Sequence, residues 1–144
     1  MSLVEILKDR DRLVEISNDG ARMVDAEIAS KRGIRAAALK AGYKSVKAIK
    51  PGIIADALRH LMPEFAPVIE PYYQAGKASG NVERHFRENA RQIADSMLSV
   101  TDARARRAEN RVMKRVYNAL RGQALKHTME AVPRLASLIE RHDR

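Results

Sequence analysis

The chain has 144 residues, with 27 Lys and Arg against 18 Asp and Glu, a formal net charge of +9, and no cysteine. That is the size of one domain, and the lack of cysteine excludes a disulfide scaffold, thiolate catalysis and Cys-ligated zinc. The apolar runs fall far short of a spanning helix, and Glu5, Lys8, Asp9 and Arg10 leave no signal-peptide core, so a basic globular domain of the cytoplasm is expected.

Period-3.6 patterning dominates and no period-2 strand is evident. Ser2 and Glu5 have capping-box spacing, so a short helix opens the chain. A second helix is expected over about 10–31, with Asn18-Asp19-Gly20 as a turn signal inside it and Gly33 as its stop. A third runs from Ile34 to Ile49 and ends at Pro51-Gly52. A fourth covers 52–62, and Pro63 starts a fifth that Pro71 kinks or ends. Gln74–Gly80 is the best loop by composition. Asn81 caps a sixth helix to Leu98, Thr101 with Asp102 caps a seventh to Arg121, and Pro133 starts the last. The expected fold is an all-α single domain over 1–144, a bundle of about six to eight helices. Its core should hold Ile28, Ile34, Val46, Ile53, Leu58, Leu61, Phe65, Ile69, Phe86, Ile93, Met97, Val112, Val116, Leu120, Leu135 and Leu138.

Two halves, 10–73 and 81–142, carry related segments in the same order. Pro63-Glu64-Phe65-Ala66-Pro67-Val68-Ile69-Glu70 aligns with Pro133-Arg134-Leu135-Ala136-Ser137-Leu138-Ile139-Glu140 at an offset of 70. Lys40-x-x-Tyr43-x-x-Val46 aligns with Lys114-x-x-Tyr117-x-x-Leu120 at an offset of 74, Ala21-Arg22-x-Val24 resembles Ala90-Arg91-x-Ile93 at an offset of 69, and the slip falls near Pro51-Gly52. Either the chain is an internal duplication about a pseudo-twofold axis, or helices rich in Ala, Leu and Lys simply align with one another.

The positive charge is confined to two segments. Residues 31–50 carry +7 with no acid, residues 101–127 carry +6, and the remainder is −4. At 100° per residue, Lys40, Lys44 and Lys47 share an arc opposite Ile34, Ala38, Ala41, Ser45 and Ile49. Arg104, Arg107, Arg111, Lys114 and Arg121 share a second, opposite Ala105, Val112, Val116 and Leu120. With Arg35, these cations are the candidate anion-binding residues. Nucleic acid is the commonest polyanion, and the bland alternative is a solvated face that keeps the chain soluble. Aromatics near the stripes are limited to Tyr43 and Tyr117, so duplex DNA or structured RNA suits better than stacked single strands.

Residues 28–43 also look like the helix-turn-helix of bacterial repressors, which implies Arg35, Ala36 and Lys40 toward DNA and Ile34 and Leu39 buried. The second helix is long for that motif, and its basic residues lie late in it. No catalytic, metal or cofactor site is read from the sequence. The histidines His60, His85, His127 and His142 form no Glu-x-x-His or His-x-x-x-His pattern, and no glycine-rich phosphate loop is present.

Gly42-Tyr43-Lys44-Ser45-Val46-Lys47, Lys50-Pro51-Gly52-Ile53, Val100-Thr101-Asp102-Ala103-Arg104-Ala105, and the stretch from Leu120-Arg121-Gly122 to Pro133-Arg134-Leu135 together resemble a family of short, basic, uncharacterised actinobacterial proteins. The resemblance spans nearly the whole chain. It implies one compact helical unit with no cofactor, brings no activity, and makes the repressor likeness incidental. Two readings compete: a non-enzymatic polyanion-binding protein using both cationic faces, or a non-catalytic interaction or self-assembly module meeting an acidic partner protein or a second copy. Contact with anionic lipid is a third and weaker reading, since alanine predominates beside the cations. Stripes lying side by side would favour a single polyanion groove; stripes on opposite faces would not.

Overall fold

The computed structural model describes residues 2–143. It is all-α, with seven helices among the described residues. Helix α1 (Leu3–Ile6) has the expected capping box: the Ser2 hydroxyl accepts the Glu5 amide at 3.1 Å, and the Glu5 carboxylate accepts the Ser2 amide at 3.3 Å. Helix α2 (Arg10–Ser30) is capped by Asp9 and runs straight through Asn18-Asp19-Gly20. Gly20 serves close packing there, because a Cβ would lie 2.8 Å from the Met62 methyl. Gly33, at φ 97°, does not stop α2, which ends at Ser30; it turns the chain into α3 (Ile34–Lys47). Gly52, at φ 72°, turns it again into α4 (Ile53–Ser79).

Helix α4 overrides three sequence signals. Pro63, Pro67 and Pro71 all lie inside it and start or end nothing. Each lacks an N–H, which leaves the carbonyls of Arg59, Pro63 and Pro67 without helix partners. The four-residue spacing puts all three prolines on the exposed side, where water can take those bonds. The expected loop at Gln74–Gly80 is helical through Ser79, because Gly76 is buried against Val82, where a Cβ would meet the Val82 Cα at 3.1 Å. Gly80 ends the helix in the left-handed conformation.

Asn81 caps a short α5 (Val82–Glu88), and after Asn89 the chain resumes as α6 (Ala90–Arg107). Thr101 and Asp102 cap nothing and lie inside α6. The break comes at Ala108-Glu109-Asn110, and the Asn110 side chain accepts the Met113 amide at 3.1 Å to start α7 (Arg111–His142). That helix passes through Gly122 and Pro133 without interruption.

The four long helices close a ring: α2 packs on α4, α4 on α6, α6 on α7, and α7 on α2. Helix α3 lies along α7 and α2, α5 packs on α4 and α7, and α1 lies on α4. The main core joins Leu3, Ile6, Ile69, Tyr73, Phe86, Ile93, Val132 and Ile139, with a smaller cluster of Ile16, Met62 and Leu138. Two expected core residues are exposed, Ile34 at 92% and Val112 at 39%. No residue from 99 to 131 is fully buried, and in α3 Ala36 alone is.

Contacts in the two halves follow one scheme. On α3 the Tyr43 hydroxyl and the Lys47 ammonium both bond Asp25 of α2. On α7 the Tyr117 hydroxyl and the Arg121 guanidinium both bond Asp102 of α6. Glu64 of α4 pairs with Arg104 of α6, and Arg134 of α7 pairs with Glu27 of α2. Gly42 faces Val116, its counterpart at the offset of 74, and a Cβ on it would lie 3.0 Å from Val116.

Candidate functional site

The helix ring surrounds a central cavity of about 350 Å³ lined almost wholly by apolar side chains, among them Met23, Ile28, Leu58, Leu61, Met97 and Leu135. These point inward as their periodicity requires, yet they stay half-buried because they face this space.

Two of the clefts that adjoin the cavity carry candidate cations. One lies between the α2–α3 turn and α7, has a volume of about 490 Å³, and shares Glu27, Lys31 and His127 with the cavity. Lys31 is 7% exposed, and its ammonium bonds Glu27 at 2.9 Å and also Glu130. Burial pulls the Lys31 pKa down, but the two carboxylates outweigh it and hold the group protonated. Arg134 closes the network on Glu27 at 2.6 Å. Arg35, Arg32 and Lys126 stand at the rim of this cleft. His127 Nδ1 and Gln123 Oε1 are buried there without a hydrogen-bond partner. Burial, with Lys31 next, pushes the His127 pKa down and favours the neutral ring.

The second cleft lies between α4, α6 and α7, has a volume of about 360 Å³, and shares Leu61 and Thr101 with the cavity. Its floor is Ala57, Leu61, Ala105, Ala108 and Met113, and its rim is His60, Arg104, Arg107 and Lys114. No Asp or Glu lines it. Arg104 is held by Glu64 at 2.8 Å and donates to the His60 carbonyl at 3.2 Å. That guanidinium holds the Glu64 carboxyl below its ordinary pKa.

The nine candidate cations therefore divide. Lys47 is taken up by Asp25 at 3.1 Å and stacks over the Tyr43 ring at 5.3 Å. Arg104 is taken up by Glu64, and Arg121 binds Asp102 in a fork at 2.7 and 3.0 Å. Arg121 first, with the Tyr117 hydroxyl, depresses the Asp102 pKa. Arg35, Lys40, Lys44, Arg107, Arg111 and Lys114 pair with no carboxylate among the described residues.

The break at 108–110 splits the expected single face of the second stripe between two helices. Arg107 and Lys114 meet at the α4–α6–α7 cleft, and Arg111 sits at the first residue of α7. In α3 the expected amphipathicity is turned: Ile34, Ala38, Ala41 and Ser45 are exposed, whereas Lys40 is half-buried. The Tyr43 and Lys47 clasp on Asp25 ties this side of α3 to α2, while Lys44 and Lys47 stay exposed. Gly42, nearly opposite these lysines, faces α7. The cations of α3 and those at the α6–α7 junction thus sit on neighbouring elements, since α3 packs on α7 where Gly42 meets Val116 and Leu120.

The helix-turn-helix likeness fails on the same helix, because Ile34 is exposed and Ala36 buried, the reverse of what it implies. Sequence reading also missed both aspartate clasps and the Lys31 network. The available signal was the repeated Tyr-x-x-x-Lys/Arg spacing at 43–47 and 117–121. No helix among the described residues is long and apolar enough to cross a membrane.

No curated protein matches the chain, and no solved structure does. A family of unknown function, DUF6918, matches residues 3–143, and the chain belongs to it.

Proposed function

We propose that this is a non-catalytic domain that binds polyanions, nucleic acid first among them, through cations that the fold leaves unpaired. The observation that carries this reading is the convergence of Arg107, Arg111 and Lys114, none with a carboxylate partner, around the start of α7. A cation at a helix N-terminus is disfavoured by the helix dipole, while the free N–H groups there attract anions. A phosphate among these three side chains relieves their mutual repulsion and uses that field. Lys40 and Lys44 form a second patch on α3, while Arg35 stands on the far side of that helix at the α2–α3–α7 cleft.

Titration of labelled duplex DNA and structured RNA at low and physiological salt tests this. One patch neutralising about three phosphates gives a slope of log affinity against log salt near −3 on duplex DNA; both patches together give about −5. Reversing Arg107, Arg111 and Lys114 to Glu should weaken binding more than reversing Lys40 and Lys44. No binding to either nucleic acid at low salt removes the reading.

A second reading, a self-assembly or protein-interaction module, rests on the outer face of α3, where Ile34, Ala37, Ala38, Ala41 and Ala48 are all exposed. Sedimentation of the natural chain and of Ile34→Lys separates the two; a dimer that Ile34→Lys dissolves supports the module. We also propose that 10–73 and 81–142 are copies of one unit. The paired aspartate clasps and the Gly42–Val116 approach support it. Superposing α2, α3 and α4 on α6 and α7 by a rotation near 180° tests it, and a rotation far from that removes it.

A further inference from the structure

We propose that the central cavity binds a single-chain aliphatic carboxylate, its tail among the four long helices and its carboxylate in the α4–α6–α7 cleft against Arg107 and Lys114. Three observations meet here. The cavity is apolar and about 350 Å³, inside the size range of small-molecule sites. A volume near the lower end of that range suits a slender aliphatic ligand rather than a bulky one. The cleft adjoins the cavity across Leu61 and Thr101, which line both, and its lining is apolar up to the cationic rim except for the Thr101 and Tyr117 hydroxyls, which bond each other at 2.8 Å. A ligand lying across that boundary therefore needs an aliphatic body and an anionic end.

The two clefts differ in a way that selects one of them for the head group. On the α2–α3–α7 side, Lys31 stands between Glu27 and Glu130, so the charge next to the cavity is already neutralised from within. On the α4–α6–α7 side, Arg104 is satisfied by Glu64, Arg107 feels that carboxylate only from beyond ion-pair distance, Lys114 makes no ion pair, and no Asp or Glu lines the cleft. A cationic amphiphile would meet like charge there. A short carboxylate would reach the rim and leave the cavity walls unused.

This inference does not depend on polyanion binding, although both use Arg107 and Lys114. The test therefore includes variants that alter the cavity alone. Calorimetric titration of the full chain with sodium dodecanoate below its micelle concentration should show one ligand per chain. Butyrate and dodecyltrimethylammonium should show none. Arg107→Glu with Lys114→Glu should weaken dodecanoate at least tenfold, and Arg35→Glu with Lys126→Glu should leave it within about twofold. Ala131→Phe, placed on the cavity wall, should abolish dodecanoate binding and leave DNA affinity unchanged. If Ala131→Phe does not fold, Thr128→Leu, a milder filler of the same wall, serves in its place and should weaken binding at least fivefold. The proposal is overturned if the folded natural chain does not bind dodecanoate, whether it sediments as monomer or dimer. It is also overturned if the ammonium binds as well, if the cavity variants bind unchanged, or if the weakening comes from Arg35 and Lys126 instead.

Discussion

Residues 10–73 and 81–142, proposed above as copies of one unit, differ in covalent path. In the first, Pro51-Gly52 separates α3 from α4, with Gly52 in the left-handed conformation. In the second, the corresponding stretch is one continuous helix, α7. Both halves fix their third element with a tyrosine and a long cation on one aspartate of the second. The clasp of the first half is open, with Lys47 and Asp25 about half exposed. In the second half, Asp102 is more enclosed and receives a two-pronged guanidinium. The difference is instructive because the helix pattern is common to both. What distinguishes the halves is a turn signal and the charge placed beside the cavity.

The largest expected effect comes from the two clefts. Lys31→Met removes the ammonium between the largely enclosed Glu27 and the exposed Glu130. Breaking a buried pair in this way costs about 3–5 kcal/mol, and Arg134 on Glu27 keeps the expected loss near the lower end. The matching change in the other half, Arg104→Met, opens a pair at a wet rim and should shift stability little. Urea melts of both variants check the contrast, and equal losses would mean that the clefts are not built differently.

The clasps give a smaller effect. Asp102→Asn should cost about 1–2 kcal/mol, as expected for charged hydrogen bonds, and Asp25→Asn less, because its clasp is more exposed. The Asp102 carboxyl sits below its unfolded value, chiefly through Arg121, so its stabilisation is complete above about pH 4 and fades as the pH falls through the folded pKa. The same sign holds for Asp25, whose pKa is lowered chiefly by the Tyr43 hydroxyl. Acid melts of Asp102→Asn should therefore lose more of the natural chain's decline below pH 4 than those of Asp25→Asn.

Much of the fold is legible in the residues. The capping box at Ser2, the breaks near Gly33 and Pro51-Gly52, the Asn81 cap and most of the core follow from period and local geometry. The errors share one cause, since Pro, Gly and Thr were read as chain signals where tertiary context gives them another use. Pro63, Pro67 and Pro71 are harmless because they line one wet side of α4. Gly20, Gly42 and Gly76 are contact points between helices. Thr101 donates to the Leu98 carbonyl and meets Tyr117 at 2.8 Å, so it binds α6 to α7 rather than starting a helix. The cations were found but their grouping was not, because a helical wheel fixes angles within a helix and says nothing of which side a neighbour takes. The cavity has no sequence signal, since its lining consists of residues that any helical core would use.

Gly122 gives the smallest effect and the sharpest view of the difference between the halves. It falls where α7 continues and the first half turns. It has no positive φ, and a Cβ placed on it meets nothing within 4 Å. Neither a turn nor a close contact requires glycine there, so only its helix-weakening property remains. Gly122→Ala should stabilise the chain by about 0.5–1 kcal/mol through propensity and the narrower unfolded ensemble. Gly42 is the contrast, because a Cβ there would sit 3.0 and 3.1 Å from Val116 and Leu120 on the facing helix. Gly42→Ala should therefore lose the propensity gain to crowding between α3 and α7, and come out destabilised. Thermal melts of the two variants decide it. A gain at both positions would mean that α3 moves freely over α7 and that the Gly42–Val116 approach contributes nothing to the packing. A loss at Gly122 would mean that the joint within α7 needs the flexibility of glycine, and that the second half keeps a trace of the turn the first half makes.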